Sequence, residues 1–307
     1  MASTTSDLDK VRQLIADGTP DERISGKTPL YIAASANQVD LVQQLLDLGA
    51  NPDEITWFST PLLEAASRNH VEVVRLLLGK DADMRIGDDE ALAPIHAASY
   101  SGHVDVVRLL LEKGVDPNSR AMIGTPLQIA AGGGRVTVVE LLLEHGARLD
   151  CSTKYGSTPI RDAARNGHLD MVRLLLEKGV SPLPLRRSGY AAIHDAASSG
   201  HLEIVRFFLE RGVDLEITDE SRMTPLHVAS TLRDSELVQF LLDRGANMEA
   251  QNSKGETPLQ VALRFGRAKV IQLLRDRGAS TRGASTPAAS RGRRNAIDCT
   301  NYPYGVA

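Results

Sequence analysis

Apolar and polar residues recur along this chain in blocks of fixed length. The stretch PIHAASYSGHVDVVRLLLEKG, Pro94 to Gly114, returns as PIRDAARNGHLDMVRLLLEKG, Pro159 to Gly179. Aligned on the first residue of that block, the chain reads Pro29, Pro61, Pro94, Pro126, Pro159, Ala192, Pro225 and Pro258, with steps of 32 or 33 residues. A constant step of this size marks stacked repeats rather than one globular core. Alanine stands at the fourth residue after every anchor, from Ala33 to Ala262, and glycine at the twentieth in all but one, where Asp81 takes its place.

Each recurring position has a physical reason. The threonine of Thr28-Pro29 or Thr257-Pro258 can accept a backbone N–H at a helix start, and proline fits the first helical position because no partner is needed there. The pattern therefore predicts a helix beginning at each anchor. Small alanine lets the first helices of neighbouring repeats approach closely. After a break such as Gly102, Gly167 or Gly200 comes a second apolar pattern, Val106, Val107, Leu109, Leu110 and Leu111, closed by Gly114. It predicts a second helix with a broad buried face and a left-handed C-terminal cap. Asp81 must tolerate the same left-handed conformation at some cost, so repeat two is expected to be locally weaker. An isolated unit of about 33 residues leaves its apolar faces wet; only stacking buries them, which is why the chain repeats itself.

The stretches KTPLYIAASANQVDLVQQLLDLGANPD and MTPLHVASTLRDSELVQFLLDRGANME resemble the ankyrin repeat, and the likeness runs from Leu8 to Ala279. The resemblance implies an all-α solenoid of two antiparallel helices per repeat, with a projecting hairpin or loop, a finger, between repeats and a curved stack whose concave face binds proteins. Residues 1–18 read as an N-terminal half-repeat cap, with Val11, Leu14, Ile15 and Gly18 matching a second helix that lacks its first. Residues 19–279 hold eight full repeats. Arg275 stands where the earlier repeats have leucine, which suits a polar C-terminal cap. Residues 280–307 form a Ser-, Gly-, Arg- and Pro-rich basic tail without periodicity, expected to be disordered.

Composition narrows the function. Net charge is -4, and the part before the tail stands at -7, from 31 basic and 38 acidic residues. An acidic body argues against nucleic acid as the main partner. The start MASTTSDLDK has no basic and apolar leader pattern, and no run is long and apolar enough to cross a membrane. Two cysteines, Cys151 and Cys299, make neither a disulfide framework nor a metal pair. The expectation is an intracellular protein, cytoplasmic or nuclear, monomeric, with no cofactor and no metal. His96, His194 and His227 share one repeat position and His70, His103, His168 and His201 another, so they are read as local hydrogen-bonding residues between turns and loops. AGGGR, Ala131 to Arg135, lacks the frame of a phosphate loop and is read as a loose helix–turn–helix corner. No nucleophile or zincin motif occurs, so no catalytic residues are assigned.

Informative residues are those that differ between repeats. By the family geometry, Trp57, Glu90, Met122, Tyr155, Tyr190, Met223 and Lys254 fall on fingers, and Arg68, Tyr100, Arg165 and Arg264 along first helices. Phe58 lies beside Trp57, and Arg187 sits on the proline-stiffened finger LPLRRS. Of these, Trp57, Phe58, Arg68, Glu90, Tyr100, Met122, Tyr155, Arg165, Arg187 and Tyr190 are singled out. Aromatic and arginine side chains are the usual anchors of protein interfaces, so these ten are the candidate partner-binding residues. The plainer reading has Trp57 and Phe58 folded back on a neighbouring finger and the charges simply solvated. The reading that follows is a non-catalytic interaction module for partner proteins. Two alternatives stay open: an adaptor or regulator recruiting a client to a transcription or ubiquitin-transfer complex, and an enzyme or accessory factor of a metabolic pathway. In the tail, RGRR offers an import or acidic-surface contact and Thr286-Pro287 a phosphate acceptor.

Overall fold

The computed structural model describes residues 2–56, 59–87, 92–153, 156–183 and 191–280. Among them the anchors do what the pattern requires. After α1 (Ala2–Asp17) come eight helix pairs: α2 (Pro29–Ser35) and α3 (Val39–Asp47); α4 (Pro61–Ser67) and α5 (Val71–Gly79); α6 (Pro94–Ser101) and α7 (Val104–Glu112); α8 (Pro126–Gly132) and α9 (Val136–Glu144). The series continues with α10 (Pro159–Arg165) and α11 (Leu169–Glu177); α12 (Ala192–Ser199) and α13 (Leu202–Glu210); α14 (Pro225–Ala229) and α15 (Glu236–Asp243); α16 (Pro258–Arg264) and α17 (Ala268–Asp276). The first helices of successive repeats pack side by side in an inner row and the second helices from α3 to α15 in an outer row. This is an all-α solenoid.

Local chemistry sets each start and stop. Thr28, Thr60, Thr125, Thr224 and Thr257 each accept a backbone N–H from the third residue on, at 3.1 to 3.4 Å. Gln128 and Gln260 return the favour by accepting the N–H of Thr125 and Thr257. Thr158 makes no such bond. Asp81 adopts φ 59°, the left-handed conformation that glycine takes at the same place in the other repeats.

The core is a continuous apolar seam. The alanines four after each anchor are all fully buried, as are the valines or leucines facing them on the outer helices. The N-terminal segment enters the fold as a single helix: α1 packs on α2 and α3 through Val11, which is fully buried, with Leu8, Leu14 and Ile15 around it. On the outer side of repeats five to seven, Arg173 and Arg211 lie over the Phe207 ring at 4.5 and 4.8 Å. Arg206 and Arg244 likewise lie over Phe240 at 5.1 and 4.9 Å. Ile24 with Lys27, Thr56 with Ser59, and Ala121 with Gly124 close three hairpins by isolated antiparallel bridges. No helix of the described residues is long and apolar enough to cross a membrane.

Candidate interaction surface

Two ladders of hydrogen bonds connect neighbouring repeats and fix the inner row. At the position nine after the anchor, side chains reach back to a carbonyl of the preceding repeat. His70 meets the Ala34 carbonyl at 2.8 Å, His103 that of Ser67 at 3.0 Å, and His201 that of Arg165 at 2.9 Å. His168 bonds the Gly132 carbonyl. Arg135 and Arg267 substitute for histidine, donating to the carbonyls of Tyr100 and Thr231. At the position two after the anchor, side chains reach forward. His96 donates to Ser119, Gln128 to Ser157, His194 to Ile217 and Met223, and His227 to Glu256. His194 and His227 accept the N–H of Ala191 and Thr224 at Nδ1, which fixes the proton on Nε2. Burial pulls both imidazoles below the usual 6.5, so they stand neutral. The sequence read these histidines as local hydrogen-bonding residues between turns and loops; they do hydrogen-bond to loop and turn carbonyls, but as struts across repeat boundaries.

The glycine corner of repeat four is also more occupied than a loose turn. The Asn166 amide donates to the Gly132 carbonyl at 2.7 Å. A Cβ on Gly134 would stand 2.6 Å from the His168 ring, and one on Gly133 would stand 3.1 Å from the Tyr100 carbonyl oxygen. Glycine here serves close approach by the neighbouring repeats.

Four candidate interface residues lie in the described part. Tyr100, at the end of α6, is 49% exposed, and Met122, in the hairpin between repeats three and four, is 57% exposed. Arg68 is exposed but paired with Glu64 at 2.6 Å. Burial, with the Glu64 carboxylate beside it, pushes the Tyr31 hydroxyl up to about 12. Arg165 is held more firmly than its pattern suggested: Asp195, 1% exposed on α12, accepts from Arg165 and, at 2.6 Å, from Arg161. Burial pushes the adjacent Asp162 carboxyl up, opposed by its hydrogen bond from Ser157 and by Arg165. Arg165 therefore shows solvent only the partly exposed edge of a clamped guanidinium. Trp57, Phe58, Glu90, Tyr155, Arg187 and Tyr190 lie outside the described residues. The basic tail lies there too, apart from Ser280.

Among the described residues no group of three or more His, Cys, Asp or Glu side chains is placed to hold a metal ion. Cys151 is buried, its thiol pushed up by burial and touched by the Thr125 hydroxyl at 3.5 Å. The crevice beside it, about 200 Å³ between Leu149, Thr158, Val180 and Leu183, is small.

The family model of ankyrin repeats matches three stretches, residues 54–121, 123–184 and 193–283, and the single ankyrin-repeat model matches residues 25–57. The chain belongs to the ankyrin-repeat family. Among solved structures, the ankyrin stack is similar to the crystal structure of the human ASB11 ankyrin repeat domain. Identity is 26% and the TM-score 0.64, over 72% of this chain and 99% of that one. Altogether 561 solved chains match, so likeness of fold selects no one partner. A search of curated proteins found no match. Ankyrin repeats of this kind form protein-interaction modules, a typically non-catalytic scaffold.

Proposed function

We propose that this ankyrin stack is a non-catalytic, monomeric binding module that takes up partner proteins along the inner helices and the fingers, within the cytoplasm or nucleus. One observation carries the reading. Tyr100 and Met122, two of a small set of exposed large apolar side chains, stand half exposed at positions that differ from repeat to repeat. The shared positions are consumed by the seam and the struts, whereas Tyr100 and Met122 stand at positions whose residue type changes along the stack. Amphipathic and flexible apolar groups of this kind are the side chains that anchor protein interfaces. Ile55, 54% exposed and two residues before Trp57 in the sequence, adds a further exposed apolar side chain.

The test is a quantitative affinity purification from the source cells with the wild-type chain and with a Trp57→Ser, Tyr100→Ser, Met122→Ser variant. Specific partners are expected to disappear with the variant while its circular dichroism and melting temperature stay those of the wild type. Undiminished capture by a folded variant would move binding off this surface.

A further inference from the structure

The two ends of the stack are finished differently. At the N-terminal end α1 covers α2 and α3. At the other end the covered positions of the repeat lie open and have grown. The residue five after the anchor is alanine or serine in repeats one to seven, from Ala34 to Ser230, and is fully buried each time; in repeat eight it is Leu263, 40% exposed. Thirteen after the anchor, the earlier repeats bury valine completely, from Val42 to Val238, whereas repeat eight has a half-buried Ile271. Phe265 adds a ring that is 44% exposed. Arg275 does make the outer corner polar and exposed, as expected of a cap. The inner part of this end is nonetheless apolar, which is the reverse of what an end facing water needs.

Charge says what fits there. The span from Pro258 to Arg277 carries Arg264, Arg267, Lys269, Arg275 and Arg277 against Asp276 alone, in a chain of net charge -4. Corresponding spans elsewhere are near neutral: repeat five sets Arg161, Arg165, Arg173 and Lys178 against Asp162, Asp170 and Glu177. Arg264 lies over the Phe265 ring at 4.9 Å and Arg267 at 5.8 Å. Arg264 is paired with Glu256 at 3.1 Å and Arg277 with Asp243 at 2.8 Å, so the excess positive charge of this end rests on Arg267, Lys269 and Arg275. Two occupants are disfavoured by this field. The chain's own segment after Ser280 brings Arg282, Arg291, Arg293 and Arg294 against Asp298, and the same end of a second copy brings the same basic residues.

We propose that the open end of repeat eight is a second docking surface, which takes an acidic amphipathic helix of a partner protein across Leu263, Phe265 and Ile271. A helix is the element that covers these positions in the earlier repeats, where α16, for example, packs on α14. This surface is separate from the inner row around Tyr100 and Met122, and it stands or falls independently of that reading.

The probe is a synthetic helical peptide with leucine and alanine on one face and glutamate on both flanks, beside a twin with lysine for glutamate. Binding to the full chain is followed by fluorescence anisotropy at low and physiological salt, with hydrogen exchange to locate it. The glutamate peptide is expected to bind, to protect α16 and α17, and to weaken as salt rises, while the lysine peptide stays unbound. The Leu263→Ser, Phe265→Ser variant and, separately, the Lys269→Glu, Arg275→Glu variant are each expected to lose roughly tenfold or more in affinity. All four positions are exposed, and the melting temperature controls for folding. Absent or charge-independent binding, or affinity indifferent to both variants, overturns the proposal. Self-association in sedimentation that Leu263→Ser abolishes would assign the face to a second copy, and a zero-length Lys269–Asp298 crosslink in the free chain would assign it to the tail. Either result overturns the proposal.

Discussion

Repeats six and seven share an apolar seam but differ at the inner corner. Repeat six has an eight-residue α12, a left-handed Gly200 with φ 78°, and His201 bonded to the Arg165 carbonyl. Repeat seven has a five-residue α14, Arg233 in the glycine's place and Asp234 in the histidine's. Yet Leu226, Ala229, Val238 and Leu241 of repeat seven are as buried as their counterparts. Its outer side carries the Phe240 stack between Arg206 and Arg244. The comparison separates two layers of specification. Small and branched apolar residues at fixed spacing build the stack; the polar struts are laid over it one boundary at a time and can be left out.

The largest effect should come from attacking the shared layer. Ala163 is fully buried on α10 between α8 and α12. Ala163→Arg is expected to cost at least about 3 kcal/mol, since it overpacks the seam and buries a charge. Urea unfolding followed by circular dichroism should show the array dividing into two transitions, and a single unchanged transition would count against a cooperative stack. Next comes the ion cluster that repeat seven lacks, where Val228 stands at the position of Asp195. Asp195→Ala leaves Arg161 and Arg165 facing one another without their shared carboxylate. The expected loss is about 2 kcal/mol, below the range for a fully enclosed pair because both guanidiniums reach water. No loss would mean that hydration replaces Asp195 fully.

The apolar layer was legible in the sequence because burial imposes a period on it: the anchors, the alanines and the closing glycines could be read as a register. The polar layer was not, because its partners lie about a repeat apart and no local pattern links them. His201 and the Arg165 carbonyl are 36 residues apart, so the histidines read as turn residues although their shared register hinted at a shared role. Arg165 read as an open arginine for the same reason, and the signal that was available, an aspartate at the next repeat's third position after its anchor, went unused. The short α14 left a plainer trace: Arg233 and Asp234 break the glycine–histidine corner that repeats three, five and six keep. For the interaction surface, Tyr100 and Met122 could be singled out by their variability between repeats, whereas the open face at Leu263 required knowing which positions a neighbour covers.

Acid should weaken the struts. Burial holds His194 and His227 below the usual 6.5, so their contribution is complete above that pH and is lost as pH falls through the lowered folded values. Asp162 works in the opposite sense: its folded value is raised above 3.8, so its contribution is present in acid and lost as pH rises through that raised value. In an Asp162→Asn background, the urea midpoint is therefore expected to fall as pH drops from about 7.5 to 5, and to fall less steeply when His194→Gln is added. An identical slope with and without His194 would remove it from the acid response.

The smallest effect is the most direct test of the comparison, because it tries to give repeat seven what repeat six has. The glycine is needed for the left-handed corner, and the histidine for the strut, whose target by the 36-residue interval is the Ser198 carbonyl. Arg233→Gly with Asp234→His is expected to stabilise by about 0.5–1 kcal/mol, the net worth of one such hydrogen bond. Amide exchange in α14 should slow accordingly. Asp234→His alone should gain less, because Arg233 does not place the side chain after a left-handed turn. If the double variant leaves α14 exchanging as before, then the apolar contacts around Ala229 and Leu232, not the missing strut, set the length of that helix, and the polar layer records the stack's geometry without reinforcing it.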